Sequence, residues 1–267
     1  FSFDDTHETI KDFRPDVIVN AAAKVGGILA NNTDRFEFIT ENLKINMNIL
    51  ESLKHFKDIK LVNLGSSCIY PLDAPNPIKE EYIMDGKLEP TNSPYAMAKL
   101  AAIEMGDALE KQFDSKIVNL MPTNLYGPND NFSENESHVI PGLISRMHKA
   151  KLSQEPVFNI WGTGKPKREF LYVDDLAEAI NFVIKNDVNT KLLNVGSNEE
   201  VTIKELSIII KEALNFEGSL EFDETKPDGN PRKLLDSTKI FELGWKPLVS
   251  LTQGIERTYS WFNENIS

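Results

Sequence analysis

Short apolar runs rich in β-branched residues alternate along this chain with segments of helical spacing, and few folds accept that alternation. Val17-Ile18-Val19 closes at Asn20. Phe36 to Phe56 carries Phe38, Ile39, Leu43, Ile45, Ile49 and Leu53 at helical intervals. Lys60-Leu61-Val62-Asn63-Leu64 reads as a buried strand, Tyr95 to Gln112 as a helix and Ser115 to Leu120 as the next strand. This repetition predicts parallel pairing with right-handed crossovers, hence a doubly wound, Rossmann-like α/β sheet. Prolines and glycines between Pro71 and Pro94 predict a long surface excursion. From Gly127 the pattern breaks into turns and short elements, which predicts a second, smaller α/β region. Glu169 to Lys185 reads as a strand and helix returning to the main sheet. The expected division is therefore 1–128, with 168–190 returning to it, and 129–267. Val201 to Leu206 opens a further helix, capped by Thr202 with Glu205 three residues on.

A chain of 267 residues can bury a full core. A formal net charge of −12 argues against a nucleic-acid binder, which would present a basic surface. An anionic small ligand is still accommodated, because binding follows local charge. Lys165, Lys167 and Arg168 form one basic cluster, and Arg232 and Lys233 another. The single cysteine rules out an intrachain disulfide and points to a reducing, cytoplasmic setting. No apolar run approaches the ~20 residues of a membrane span, and the acidic opening Phe1-Ser2-Phe3-Asp4-Asp5 is unlike a signal peptide. His7, His55 and His148 show no metal-ligand spacing, so no metal is expected. Asp174-Asp175 reads as the N-cap of a helix over Leu176 to Lys185.

The chemistry concentrates in two runs. In Asn92-Ser93-Pro94-Tyr95-Ala96-Met97-Ala98-Lys99, Ser93 reads as an N-cap and Pro94 as the first helical residue. Tyr95 and Lys99, four apart, then share one helix face. An ammonium beside a phenol favours phenolate, so Tyr95 is expected to exchange protons near neutral pH. Upstream, a strand runs out through Leu64-Gly65-Ser66-Ser67-Cys68-Ile69-Tyr70-Pro71. A serine there can hydrogen-bond the same reacting oxygen. Ser, Tyr and Lys form the set a ketone–alcohol hydride transfer needs. Taken alone, the Tyr-x-x-x-Lys spacing also fits an exposed helix pair.

With further runs, the chain resembles the extended short-chain dehydrogenase/reductase family of nucleotide-sugar epimerases and dehydratases. The resemblance rests on Ala21-Ala22-Ala23-Lys24-Val25-Gly26-Gly27-Ile28, Leu64 to Pro71, Leu88-Glu89-Pro90-Thr91-Asn92 and Met121-Pro122-Thr123-Asn124-Leu125-Tyr126-Gly127-Pro128. It continues through Ser137-His138-Val139-Ile140-Pro141, Trp161-Gly162-Thr163-Gly164, Arg168-Glu169-Phe170-Leu171 and Lys226-Pro227-Asp228-Gly229-Asn230-Pro231-Arg232-Lys233. These cover nearly the whole chain in family order. The Ser-Ser-Cys and Ser-His-Val-Ile-Pro runs resemble the subgroup that epimerises and reduces GDP-4-keto-6-deoxy-D-mannose. A fold of this kind opens with a strand, a Gly-x-x-Gly-x-x-Gly turn and a helix facing the pyrophosphate. This sequence has no such turn: Gly26-Gly27 has the wrong spacing, and Gly162-Thr163-Gly164 before Lys165-Pro166 suits a turn instead. Aligned by these motifs, Phe1 falls near the end of the second strand region, and roughly forty residues of the first βαβ segment are expected to be missing.

The resemblance implies roles residue by residue. Cys68 and His138 are the acid/base pair at C3 and C5, Ser66 and Tyr95 hold the C4 oxygen, and Lys99 orients the nicotinamide ribose and lowers the Tyr95 pKa. NADP, as NADPH, is the implied cofactor, lined by Ala22, Ala23, Leu64, Gly65, Ser66, Ser67, Lys99, Pro122, Thr123, Asn124, Leu125 and His138. Arg146, Trp161, Arg168 and Asp228 are the implied contacts to a GDP-sugar. Bland readings stand beside these: a buried Cys, a solvated His, a surface Arg168–Glu169 pair, a core Trp161. The family forms homodimers through the counterparts of Phe36–Phe56 and Tyr95–Gln112. Rival functions are a GDP-colitose-type or other ketosugar epimerase/reductase with the same catalytic set, and a non-catalytic binding or scaffold protein.

Overall fold

The structure is a computed structural model that describes residues 2–133 and 137–266, apart from the side chains of residues 28 and 29. The expected place of Phe1 lies outside the described residues. The chain begins with helix α1 (Phe3–Phe13), strand β1 (Val17–Asn20), α2 (Ile28–Thr33), α3 (Arg35–Leu53) and β2 (Lys60–Leu64). Short 3-10 turns at Ser67–Ile69 and Glu80–Tyr82 precede α4 (Ser93–Phe113), β3 (Lys116–Pro122) and β4 (Asn124–Tyr126). Then come α5 (Val139–Leu152), β5 (Val157–Trp161), β6 (Lys167–Tyr172), α6 (Val173–Lys185), β7 (Leu192–Val195) and β8 (Glu200–Thr202). The chain closes with α7 (Ile203–Leu214), β9 (Ser219–Asp223), β10 (Arg232–Lys233), α8 (Thr238–Glu242) and α9 (Leu251–Asn265).

Two compact units emerge. The first takes the chain up to Pro75, Glu80–Pro122 and Ala179–Val195. The second takes Asn76–Lys79, Thr123–Glu178 and the chain from Gly196 on.

In the first unit, β1, β2, β3 and β7 form a parallel four-stranded sheet in that order. β2, β3 and β7 are almost wholly buried, as continuous apolar runs in a covered parallel sheet should be. β1, at one edge, is half-buried. Helices α1, α3 and α4 cover this sheet through Ile10, Leu50, Leu53, Ala102 and Leu109, packed on Leu61 and Ile117. Each such fully buried Leu contributes about 1.5–3 kcal/mol.

In the second unit, β4 and β10 flank β6 in parallel, and β8 joins β6 antiparallel. β5 and β9 form a separate parallel pair. Ile144 and Met147 of α5, Leu206 and Ile210 of α7 and Phe262 of α9 share one core with Phe158 and Ile160 of β5. The expected capping box opens α7: Thr202 Oγ1 accepts from the Glu205 N–H at 3.1 Å, and Glu205 Oε2 accepts from the Thr202 N–H at 2.7 Å.

The sequence reading needs correction at several places. Lys167–Tyr172 does not return to the main sheet. It pairs with β4, β8 and β10, while the fourth strand of the main sheet is Leu192–Val195, and only the part of α6 from Ala179 on goes with the first unit. Apolar alternation does not distinguish which sheet a strand joins. The segment after Pro71 is no mere surface excursion, since Ala74, Ile78 and Glu80 are buried. Glu80 Oε1 accepts from the Asn194 N–H at 3.0 Å, so a charged residue holds that segment to the sheet. The helix cap before Tyr95 is Asn92, which makes Ser93 the first helical residue. The Ser93 hydroxyl turns back to the Pro90 carbonyl and accepts from Arg35, so it does not cap the turn. α6 begins at Val173, and Asp175 accepts instead from the Leu248 and Val249 N–H groups at 2.9 and 3.1 Å.

Candidate active site

Parallel strands point their carboxyl ends the same way. Asn20, Asn63 and Asn119 stand in register on β1, β2 and β3, so the residues that follow them emerge side by side. Ala22 and Ala23 follow β1, Gly65 to Ser67 follow Leu64 at the end of β2, and Pro122 ends β3. This is where open α/β sheets hold their ligands. A β-carbon on Gly65 would meet the end of the buried Met121 side chain, which lies against this strand end.

Ser66 is extended and caps the 3-10 turn, its hydroxyl accepting from the Cys68 N–H at 3.3 Å. Ser67 and Cys68 are buried. Lys99, 3 % exposed, donates from Nζ to the Leu64 carbonyl at 2.8 Å, which fastens α4 to the end of β2. Tyr95 lies one turn earlier, its ring 5.7 Å from the Lys99 ammonium and edge-on to Phe38 at 6.5 Å. The Cys68 thiol acts electrostatically on both Tyr95 and Lys99. Ser66, Cys68, Tyr95 and Lys99 are thus brought together.

Their electrostatics overturn one expectation. Burial, then the Cys68 thiol, holds the Tyr95 phenol well above its ordinary pKa, and the Lys99 ammonium does not offset this. Burial in turn lowers Lys99 to about 8, against a smaller upward pull from Cys68. In this arrangement Tyr95 is a protonated donor and no phenolate.

The remaining candidates belong to the second unit. Thr123 and Asn124 both donate from their side chains to the Glu169 carbonyl, at 3.3 and 2.9 Å, which sets the start of β4 against β6. Leu125 follows in the β4–β6 register opposite Leu171. His138 is exposed at the N-cap of α5, and its charge partly counters the burial that raises the Asp130 carboxyl. Arg146, two turns along α5, donates from Nε to the Gly142 carbonyl and lies 5.6 Å from the Phe158 ring.

Trp161 ends β5 at 68 % exposure, so it is no core residue; the Lys226 ammonium stands 5.8 Å from its ring. Phe158 is buried on the other face of β5, so Arg146 meets that strand from the side away from Trp161. Gly162 and Gly164, at φ +84° and +73°, make the expected turn. Asp228 clasps it, accepting from Thr163 N–H at 2.9 Å and Thr163 Oγ1 at 2.7 Å. Those bonds hold its carboxyl below the usual range. Arg168 donates from Nη1 to the Lys167 and Asn230 carbonyls at 2.8 and 2.6 Å, and the Asp228 charge partly counters its burial. Trp161, Arg168 and Asp228 are therefore gathered around one turn and one loop.

Arg168 does not pair with Glu169. The Glu169 carboxylate is fully buried and accepts from the Asn198 and Leu235 N–H groups at 2.8 and 3.0 Å. Sequence reasoning misses this residue, because a lone Glu beside an Arg reads as half of an ion pair. It misses the strand asparagines as well. Their signal is recurrence: Asn20, Asn63 and Asn119 each follow two or more apolar residues in a core strand. Among the described residues, no three His, Cys, Asp or Glu are grouped to hold a metal ion, and no helix is long and apolar enough to cross a membrane.

Residues 2–196 match the model of the NAD dependent epimerase/dehydratase family. Over 253 residues the chain is 52 % identical to a probable GDP-L-fucose synthase 1 of Oryza sativa subsp. japonica, covering 94 % of this chain and 77 % of that one. It is 45 % identical to a GDP-L-fucose synthase of Escherichia coli K12, covering 97 % of this chain and 84 % of that one. A crystal structure of a GDP-L-fucose synthetase from Naegleria fowleri bound to NADP superposes with a TM-score of 0.89 at 30 % identity, covering 99 % of this chain and 81 % of that one.

Proposed function

Since the chain belongs to the NAD dependent epimerase/dehydratase family, we propose that it converts GDP-4-keto-6-deoxy-D-mannose to GDP-L-fucose by 3,5-epimerisation and NADPH-dependent 4-reduction. The observation that carries this reading is 45–52 % identity, over almost the whole chain, to relatives named for that product. The gathering of Ser66, Cys68, Tyr95 and Lys99 at one sheet end supports it.

NADP fits the residues present. The exposed, methyl-sized Ala22 leaves room beyond β1. Lys99 spends one N–H on Leu64, and an ammonium has two more for a ribose. Lys99, Ser66 and Ser67, with Pro122 and the Thr123–Leu125 run, would hold the dinucleotide. Bound there, it supplies the hydride for C4.

The chain's own groups account for the rest. Ser66 and the Tyr95 phenol donate hydrogen bonds to the C4 oxygen, which stabilises the enolate formed when a proton leaves C3 or C5. Cys68 and His138 remove and return those protons. A phenol held protonated by burial then gives its proton to the C4 oxygen as the ketone becomes an alcohol. Trp161 offers a flat face to the base or sugar, Arg168 offers guanidinium charge to the diphosphate, and Asp228 accepts from hydroxyl or ring N–H groups; Arg146, against the other face of β5, is not gathered with them. A homodimer through α3 and α4 belongs to this reading. Phe36, Met47 and Met97 on those helices are 72 %, 44 % and 49 % exposed, apolar area that a second copy would cover. A cytoplasmic setting suits the single cysteine.

The test is product analysis after mixing the protein with GDP-4-keto-6-deoxy-D-mannose and NADPH. GDP-L-fucose with one NADPH consumed per sugar is expected; intact ketosugar and unoxidised NADPH would overturn the assignment.

A further inference from the structure

We infer that Asn20, Asn63 and Asn119 are positioning residues that pin the loop after β1 and thereby set the affinity for the dinucleotide; this rests on the reading of Ala22 and Ala23 as cofactor-lining. The three side chains are 3 %, 2 % and 1 % exposed, in positions where a parallel strand normally carries Val, Ile or Leu. They form one continuous chain of amides. Asn20 Nδ2 donates to Asn63 Oδ1 at 2.9 Å, Asn63 Nδ2 to Asn119 Oδ1 at 3.0 Å, and Asn119 Nδ2 to the Lys191 carbonyl at 3.0 Å. Asn20 Nδ2 also donates to Asn46 Oδ1 on α3 at 3.1 Å, and Asn46 Nδ2 to the Asn42 carbonyl at 2.8 Å.

What this network delivers is held backbone. Asn20 Oδ1 accepts from the Ala22 N–H at 3.2 Å. Asn42 accepts from the Lys24 N–H at 3.1 Å and donates to the Lys24 carbonyl at 3.0 Å. The stretch from Ala21 to Gly27 has no regular structure; its last carbonyls, on Gly26 and Gly27, accept from Asn31 of α2. At Ala22 and Lys24 the amides serve the backbone instead. An all-apolar row would pack the sheet as well and need no partners, but it would leave Ala22 without its acceptor. Neighbouring amides also polarise one another, which stiffens the row as a unit.

Two measurements test this on the full-length protein. In the wild type without NADPH, the amide of Ala22, which lies outside any helix or strand, should exchange with deuterium far more slowly than an unprotected peptide; exchange at the unprotected rate overturns the proposal. In Asn20→Leu/Asn63→Leu/Asn119→Leu, Ala22 exchange should accelerate. The KM for NADPH should then rise about tenfold, the order of one lost hydrogen bond, with a much smaller change in kcat. A folded triple variant with unchanged KM for NADPH overturns it. If the triple variant does not fold, the wild-type exchange measurement decides. Failure of the wild type to bind NADPH sinks the proposed function itself and is seen separately from the Ala22 result.

Discussion

A phenol buried beside a thiol keeps its proton at neutral pH, and a reductase needs that form at the C4 oxygen. Tyr95→Phe removes one hydroxyl and little else, so NADPH oxidation with the ketosugar should fall by roughly 10²–10⁴ while the melting temperature stays close to wild type. Near-normal turnover in that variant would remove Tyr95 from the mechanism. Lys99 adds a pH dependence. Its pKa is lowered from 10.5 to about 8, so its charge is lost as pH rises through that value, and kcat/KM should fall on an alkaline limb near it. The stability effect has the opposite sign. Between about 8 and 10.5 the unfolded chain binds more protons than the folded one, so this group makes the fold more stable as pH rises through that window. Lys99→Arg, which stays charged, should lose the limb even at reduced activity. Cys68→Ala and His138→Ala act on other carbons. In deuterated water both should lower label at C3 and C5 more than they slow hydride transfer, and normal labelling in both would refute their pairing.

Among the elements, β1, β2, β3 and the helix carrying Tyr95 and Lys99 were legible because apolar period is local. β2 matched its expected residues, and α7 its capping box. Thr202→Ala removes the hydroxyl that accepts from the Glu205 N–H and donates to Glu205 Oε2, while the backbone bond from residue 202 to Glu205 stays, so it should cost about 1 kcal/mol, read as a shift in the denaturant midpoint with constant slope. What stayed hidden depends on distant partners. Lys167–Tyr172 looks like any buried strand, and only its pairing with β4, β8 and β10 decides its sheet. Asp175 resembles a cap until Leu248 and Val249 arrive from seventy residues away to claim it. Glu169 belongs here too. In Glu169→Gln one oxygen becomes an NH2 group, which cannot accept, so the Asn198 or the Leu235 N–H loses its partner and the fold should be destabilised by about 1–3 kcal/mol while the Tyr95 chemistry stays in place.

For the whole molecule, the candidate residues fall into two groups, one in each unit. Ser66, Cys68, Tyr95 and Lys99 fall in the first unit, and His138, Arg146, Trp161, Arg168 and Asp228 in the second. The first group was readable from spacing and strand ends, whereas His138 and the sugar-nucleotide contacts came from resemblance alone, since an exposed His and a lone Trp carry no local signature. Phe36→Glu on α3 should shift the proposed homodimer toward monomer in sedimentation, since that interface would bury a charge where an apolar ring now stands exposed. The amide row across β1, β2 and β3 has a consequence for how such a chain can diverge. Each amide satisfies its neighbour, so a lineage that changes one strands the next, and changing all three together costs less than the sum of the single changes. A single drift step is closed to it. Relatives of this chain should carry all three asparagines or apolar residues at all three positions, with mixed sets rare.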